Sequence, residues 1–178
     1  MNAKSRHIYT LAVSAVLGAA YAVLTMLLAP ISYGAIQFRA SEALCILPFF
    51  IPGSAWGLFA GCAIANLLTG NLFDIIFGSL ATLAAGLLTA AIGRREHNIL
   101  NCALACFMPV LFNALVVGAV ITCAYNGMGL FSHFGVFALN AAQVGLGEAA
   151  VLYLIGLPLM RWLPGKKFFR EFIEKTKS

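Results

Sequence analysis

The stretch SEALCILPFFIPGSAWGLFAGCAIANLL, residues 41–68, decides how the rest of the chain is read. It is apolar almost throughout, with Pro52 and Gly53 near its middle. It reads either as one long helix or as two short ones, near 41–51 and 54–68. Charge separates the two readings. Ten of the eleven Lys and Arg residues fall in three clusters: Lys4 with Arg6, Arg94 with Arg95, and six between positions 161 and 177. One helix over 41–68 would put Arg94 and Arg95 opposite Lys4 and Arg6. Two helices put all three clusters on one side, as the excess of Lys and Arg in cytoplasmic segments requires. The expectation is therefore six crossings, with both termini cytoplasmic. At 1.5 Å per residue the two short helices barely span.

Composition supports a membrane protein. The chain is 62% hydrophobic and 10% charged, against about 45–50% and about 25% in soluble domains. We expect one membrane domain over 1–178, all-α, built of six transmembrane helices near 7–29, 41–51, 54–68, 73–92, 98–124 and 132–163. A short amphipathic tail over 166–178 carries Phe168, Phe169, Phe172 and Ile173 among basic residues, as an interfacial helix on anionic membrane lipid does. The first apolar run is too long for a signal peptide. The net charge of +5 sits in anchor clusters rather than along a groove, so no nucleic-acid partner is expected. The five cysteines lie in apolar runs without metal-ligand spacing, so they read as packing residues and no metal is expected.

Just before 41–68 lies Ser32-Tyr33-Gly34-Ala35-Ile36-Gln37-Phe38-Arg39-Ala40. Arg39 is the only Lys or Arg between Arg6 and Arg94, and Glu42 follows three residues later. An isolated charged pair in an oily chain points to function. Ser41 is positioned to cap the second helix. In the six-crossing reading the connections 31–40, 69–72 and 125–131 face outward together. They bring Arg39, Glu42, Asn66, Asn71, Asp74, Asn126 and His133 to one end, as an outward-facing small-molecule site requires.

The last helix carries that polarity inward. At 100° per residue, His133, Asn140, Gln143 and Gly147 fall in one stripe about 80° wide, with Glu148 beside it. A carboxylate is costly in lipid, so this face looks into the bundle. Asn140 and Gln143 read equally as hydrogen-bonding glue between helices. On the first helix Ala12, Ala15, Ala19 and Ala22 recur at 3-4-3 spacing, and Ser14, Gly18 and Ala22 form a second small-residue track. Either track packs the protein's own bundle or docks another membrane protein.

Some chemistry is missing from the sequence. No P-loop, HExxH or GxSxG motif occurs, so ATP is not bound through a P-loop. Counting allows a Ser/His/Asp set with Asp74 and His133, as in a membrane enzyme, but nothing in the spacing supports it. The expectation is a non-enzyme without a cofactor. Active transport would draw on an ion gradient or a partner.

The stretch Pro30 to Leu44, continued by Leu47-Pro48-Phe49, resembles the QueT family, the S components of energy-coupling-factor (ECF) transporters for queuosine precursors. The segments 61–68 and 74–83 and Gly145-Leu146-Gly147-Glu148 agree with it. Many members carry proline where this chain has Ala35. The resemblance implies a six-helix S-component bundle in a bacterial cell membrane and a substrate site near the outer face. It implies a transmembrane T component and two cytosolic ATPases as partners. S components dock the T component through an AxxxA pattern on helix 1, which Ala15 to Ala19 matches within the wider stripe of Ala12, Ala15, Ala19 and Ala22.

The implied substrate is a 7-deazaguanine such as queuine, preQ1 or preQ0. Its edge sets a ring N–H and an amino group beside a carbonyl. A carboxylate accepts from both donors, while an amide or arginine serves the carbonyl. Glu42, Asp74 and Glu148 are the candidate carboxylates. Asn66, Asn140 and Gln143 are the candidate amides and Arg39 the cation, with Tyr33, Phe38 and Phe73 available to stack on the ring or simply to pack. Arg39 and Glu42 read equally as a brace within the loop, and Asp74 as a cap of the fourth helix.

Overall fold

The computed structural model describes residues 2–33 and 37–177. Gly34, Ala35 and Ile36 of the quoted motif lie outside the described residues. Among the described residues the chain is helical, with no strand. We number the helices α1 (Ala3–Leu27), α2 (Ala40–Phe49), α3 (Ser54–Thr69), α4 (Asp74–Ile92), α5 (Ile99–Tyr125), α6 (Phe134–Gly165) and α7 (Lys167–Lys177). Four of them, α1, α4, α5 and α6, are long and apolar enough to cross a membrane. The shorter α2 and α3 are apolar as well.

α1 begins earlier than expected, because the Asn2 side chain accepts from the Ser5 amide and caps it. It also ends earlier. A separate turn, Ala29–Ser32, carries Pro30 in its first turn, where a missing N–H costs nothing.

α2 departs furthest from expectation. It is wound as a 3-10 helix over ten residues, although such runs seldom exceed 3–4 residues. At about 2.0 Å rise per residue it reaches about 20 Å, where an α-helix of that length reaches about 15 Å. Three-residue periodicity lines up Arg39, Glu42, Cys45 and Pro48, and all four are buried. Ser41 does not cap this helix. Its hydroxyl lies 2.6 Å from that of Thr25 on α1. α2 packs against α1, α3, α4, α5 and α6, so it is the axis of the bundle.

α1 and α3 approach backbone to backbone. A Cβ at Gly57 would fall 1.9 Å from the Ser14 carbonyl oxygen, and one at Gly61 would fall 2.2 Å from that of Gly18. The Ser14–Gly18–Ala22 track is therefore internal, and Ala22 is buried. Ala12, Ala15 and Ala19 face outward. This corrects the expected docking stripe, which loses Ala22 to the interior.

The basic clusters share one end. His97, just beyond Arg94 and Arg95, packs between Phe49 and Phe50 at the end of α2. Phe50 meets Phe169 of α7 at 5.3 Å, and Phe172 meets Tyr9 of α1 at 5.9 Å. The apolar face of the tail thus seats on the bundle, leaving Phe168 exposed. α2 runs from the Arg39 end to this basic end, and α3 returns. In α6, the wide π turn Leu152–Gly156 precedes Pro158. It makes room for the ring that would otherwise strike the carbonyl one turn back.

Candidate functional site

A cavity of about 450 Å³ opens at the end opposite the basic clusters. That size suits a small ligand. The connection after α1 supplies Tyr33 and Gln37, and the end of α3 supplies Leu68 and Thr69. The end of α5 supplies Ile121, Tyr125 and Asn126, and α6 supplies Asn140 and Gln143. The last turn of α5, Ile121–Tyr125, is a π turn, and such wide turns recur at functional sites. None of the described lining residues is charged.

Charge lies immediately behind the wall. Arg39 is buried, with its guanidinium over the Tyr33 ring at 5.4 Å. The Tyr33 hydroxyl donates to the Ala65 carbonyl at 2.6 Å. Burial pushes this phenol above its ordinary range, with Arg39 pulling the other way, so it remains a donor. Nη1 of Arg39 sits 3.9 Å from Glu42 Oε1 and 3.9 Å from Cys62 Sγ. Its Nε and Nη2 have no partner among the described residues.

Glu42 is fully committed. The Tyr21 hydroxyl donates to Oε1, and the Cys45 thiol donates to Oε2 at 3.0 Å. Cys62 in turn accepts from Asn66 Nδ2 at 3.5 Å and Thr82 Oγ1 at 3.3 Å. A buried thiol thus serves as acceptor for several donors as well as packing.

The other expected site residues divide by depth. Asn66 is buried, donates to the Asp74 carbonyl at 3.2 Å and leaves Oδ1 unpartnered. The Asp74 carboxylate is buried beside the Thr69 and Tyr125 side chains, so it backs the cavity wall. The cap of α4 falls to Asn71, whose Oδ1 accepts from the Phe73 amide at 2.9 Å. Asn140 donates to Thr122 Oγ1 at 2.9 Å. Glu148 lies deeper, where Asn113 donates to its Oε1 at 2.9 Å and Oε2 is unpartnered. Phe38 is half-buried in the connection after α1.

Tyr33, Asn140 and Gln143 therefore meet in the cavity, while Arg39 and Asp74 back it. Glu42, Asn66 and Glu148 do not line it. Sequence reading did not single out Tyr21, Gln37, Asn113 or Thr122, and it reached Thr69 and Tyr125 only as the ends of outward-facing connections. Asn113 and Thr122 carried a signal, as polar residues inside an apolar run. Tyr21 carried none, because its partner comes from another helix.

Comparison with known proteins now bears on this geometry. The family model described as "QueT transporter" matches residues 11–165. The chain belongs to the QueT transporter family. It is also 40% identical, over 82 residues, to the queuosine precursor transporter QueT of Lactococcus lactis subsp. cremoris (strain MG1363). That alignment covers 45% of this chain and 48% of the relative, so the chain spans about half the length of the curated relative it matches. No solved structure matches it. The QueT family is one of transporters rather than enzymes, and the long apolar helices fit a membrane protein of that kind.

Proposed function

We propose that the chain is the substrate-binding S component of an ECF importer, and that it takes up a queuosine precursor, a 7-deazaguanine base. The cavity carries this reading. The heterocycle itself is planar and uncharged, so it needs ring surface and hydrogen-bonding edges rather than a fixed counter-charge. Tyr33 and Tyr125 supply the first, and the carboxamides of Gln37, Asn126, Asn140 and Gln143 supply the second. Arg39, whose Nε and Nη2 have no partner among the described residues, lies directly behind Tyr33 and serves the carbonyl once the ligand is seated. Asp74 acts through Thr69 and Tyr125.

In this reading α2 and α3 also cross the bacterial cell membrane, making six crossings. The shared end of the basic clusters supports a cytoplasmic placement of both termini and of Arg94 and Arg95. The exposed Ala12, Ala15 and Ala19 dock the transmembrane T component, and two cytosolic ATPases supply hydrolysis. The basic outer face of α7 meets anionic lipid.

The test is a binding screen on purified protein with 7-deazaguanines, guanine and water-soluble vitamins, paired with co-purification from the native host. Selective binding of a 7-deazaguanine, with T and ATPase subunits recovered, is the expected result. A vitamin bound in its place would overturn the substrate. Recovery of the chain without those subunits would overturn the assembly.

A further inference from the structure

The cavity wall holds a carboxamide, that of Asn140, whose orientation is settled by its neighbours. Thr122 is wholly buried in the π turn of α5, and its Oγ1 lies 2.8 Å from the Gly118 carbonyl oxygen. A carbonyl only accepts, so the single hydroxyl proton of Thr122 is spent there. Oγ1 is left with lone pairs alone. The Asn140 atom 2.9 Å away must then be a donor, which fixes it as Nδ2. The other end of that carboxamide, Oδ1, is the end free to meet a ligand, because Asn140 lines the cavity.

This sequence of bonds removes an ambiguity that a carboxamide normally has. A free Asn offers donor or acceptor by rotating half a turn. Asn140 cannot, because rotation would set Oδ1 against Thr122 Oγ1, two acceptors facing each other in a buried place. The wall of α6 therefore presents an acceptor at this point.

We infer that Asn140 Oδ1 recognises an N–H donor of the ligand, and that Thr122 is the positioning residue that sets this polarity. The inference rests on the proposed ligand site and assigns one face within it. It reverses the simpler expectation that the amides serve the ligand's carbonyl. For a 7-deazaguanine the donors are the ring N–H beside the carbonyl and the exocyclic amino group. A ligand turning its carbonyl to Asn140 would bring two acceptors together.

Titration calorimetry on the full-length protein tests this with three probes: 7-deazaguanine, its N1-methyl derivative and 7-deazahypoxanthine, which lacks the amino group. The parent is expected to reject one of the two analogues by about 5- to 150-fold, the range set by leaving a buried acceptor unpaired. Thr122→Val keeps the shape and removes the hydroxyl, so Asn140 becomes free to turn and the discrimination collapses. Thr122→Ser restores it. Asn140→Ala abolishes it without involving Thr122, which keeps the test decisive if Thr122→Val does not fold. A merely structural Thr122 would lower the melting temperature and leave the discrimination intact. Unchanged discrimination in Asn140→Ala would overturn the inference while the ligand site stands. A parent protein that binds none of the three probes would overturn the ligand site, and the inference with it.

Discussion

The hydroxyl of Tyr21 donates to the Glu42 carboxylate in the centre of the bundle, joining α1 to α2 where neither residue reaches water. With Cys45 on the other oxygen and Arg39 alongside, Glu42 has the contacts of a brace, and we expect it to stabilise the fold rather than read the ligand. Glu42→Gln leaves the Arg39 charge buried without its counter-charge, at a cost of about 3–5 kcal/mol. Tyr21→Phe should cost about 1–3 kcal/mol. Thermal unfolding in detergent should show both losses, with Glu42→Gln the larger. A Glu42→Gln protein that melts like the parent but binds 7-deazaguanine weakly would return Glu42 to the ligand.

The α1–α3 contact depends on the absence of a Cβ. Gly57→Ala would place one 1.9 Å from the Ser14 carbonyl oxygen, so the helices must part. A loss of about 1–3 kcal/mol or more is expected. Gly135→Ala near the start of α6 is the control, with nothing within 4 Å. It should be neutral, or stabilise by about 0.5–1 kcal/mol by removing a helix glycine. Equal melting temperatures for the two variants would refute the close approach.

Gln37 is the described non-glycine residue with positive φ, at 47°, and its side chain lines the cavity. That backbone costs an L-residue about 1–2 kcal/mol, and strain of this kind gathers at ligand sites. Gln37→Gly should raise the melting temperature and weaken 7-deazaguanine binding together. Gln37→Asn, which tolerates this backbone region better, should keep part of both properties. Tighter binding by Gln37→Gly would show that the side chain only obstructs.

The two small-residue tracks of α1 should respond differently to bulk. Ala19→Trp meets open surface, so it should leave the melting temperature unchanged and abolish co-purification of the T component. Ala22→Trp enters the packed interior and should lower the melting temperature sharply. Recovery of an intact complex with Ala19→Trp would end the docking assignment.

Cysteine-accessibility labelling checks orientation. Labels introduced at Glu96 and Asn126 should react from opposite sides of the membrane, with Glu96 cytoplasmic. Reaction from the same side would refute the six-crossing arrangement.

Much of the site was legible from charge and periodicity. Placing three basic clusters together implied that the other ends meet, and Tyr33, Thr69, Tyr125 and Asn126 do meet around one cavity. The stripe on α6 brought Asn140 and Gln143 to it. Glu148 lies beside that stripe and deeper, and its partner Asn113 comes from α5. Helical spacing reports direction around an axis and says little about which neighbour waits at each depth. The 3-10 winding of α2 was invisible for a related reason. Its residues tolerate either winding, and it is the contacts of Glu42 with Tyr21 and Cys45, seen only in three dimensions, that align with the tighter one.

α2 behaves as a strut of set length. Relaxing its ten residues into an α-helix would shorten it by about 5 Å. Both ends are fastened: Arg39 lies under Tyr33 at the cavity, and Phe50 lies against Phe169 at the basic end. A rewound strut cannot hold both. Either the guanidinium withdraws from the cavity wall or the tail helix loses its seat, so the winding of one short segment ties the two ends of the bundle to each other.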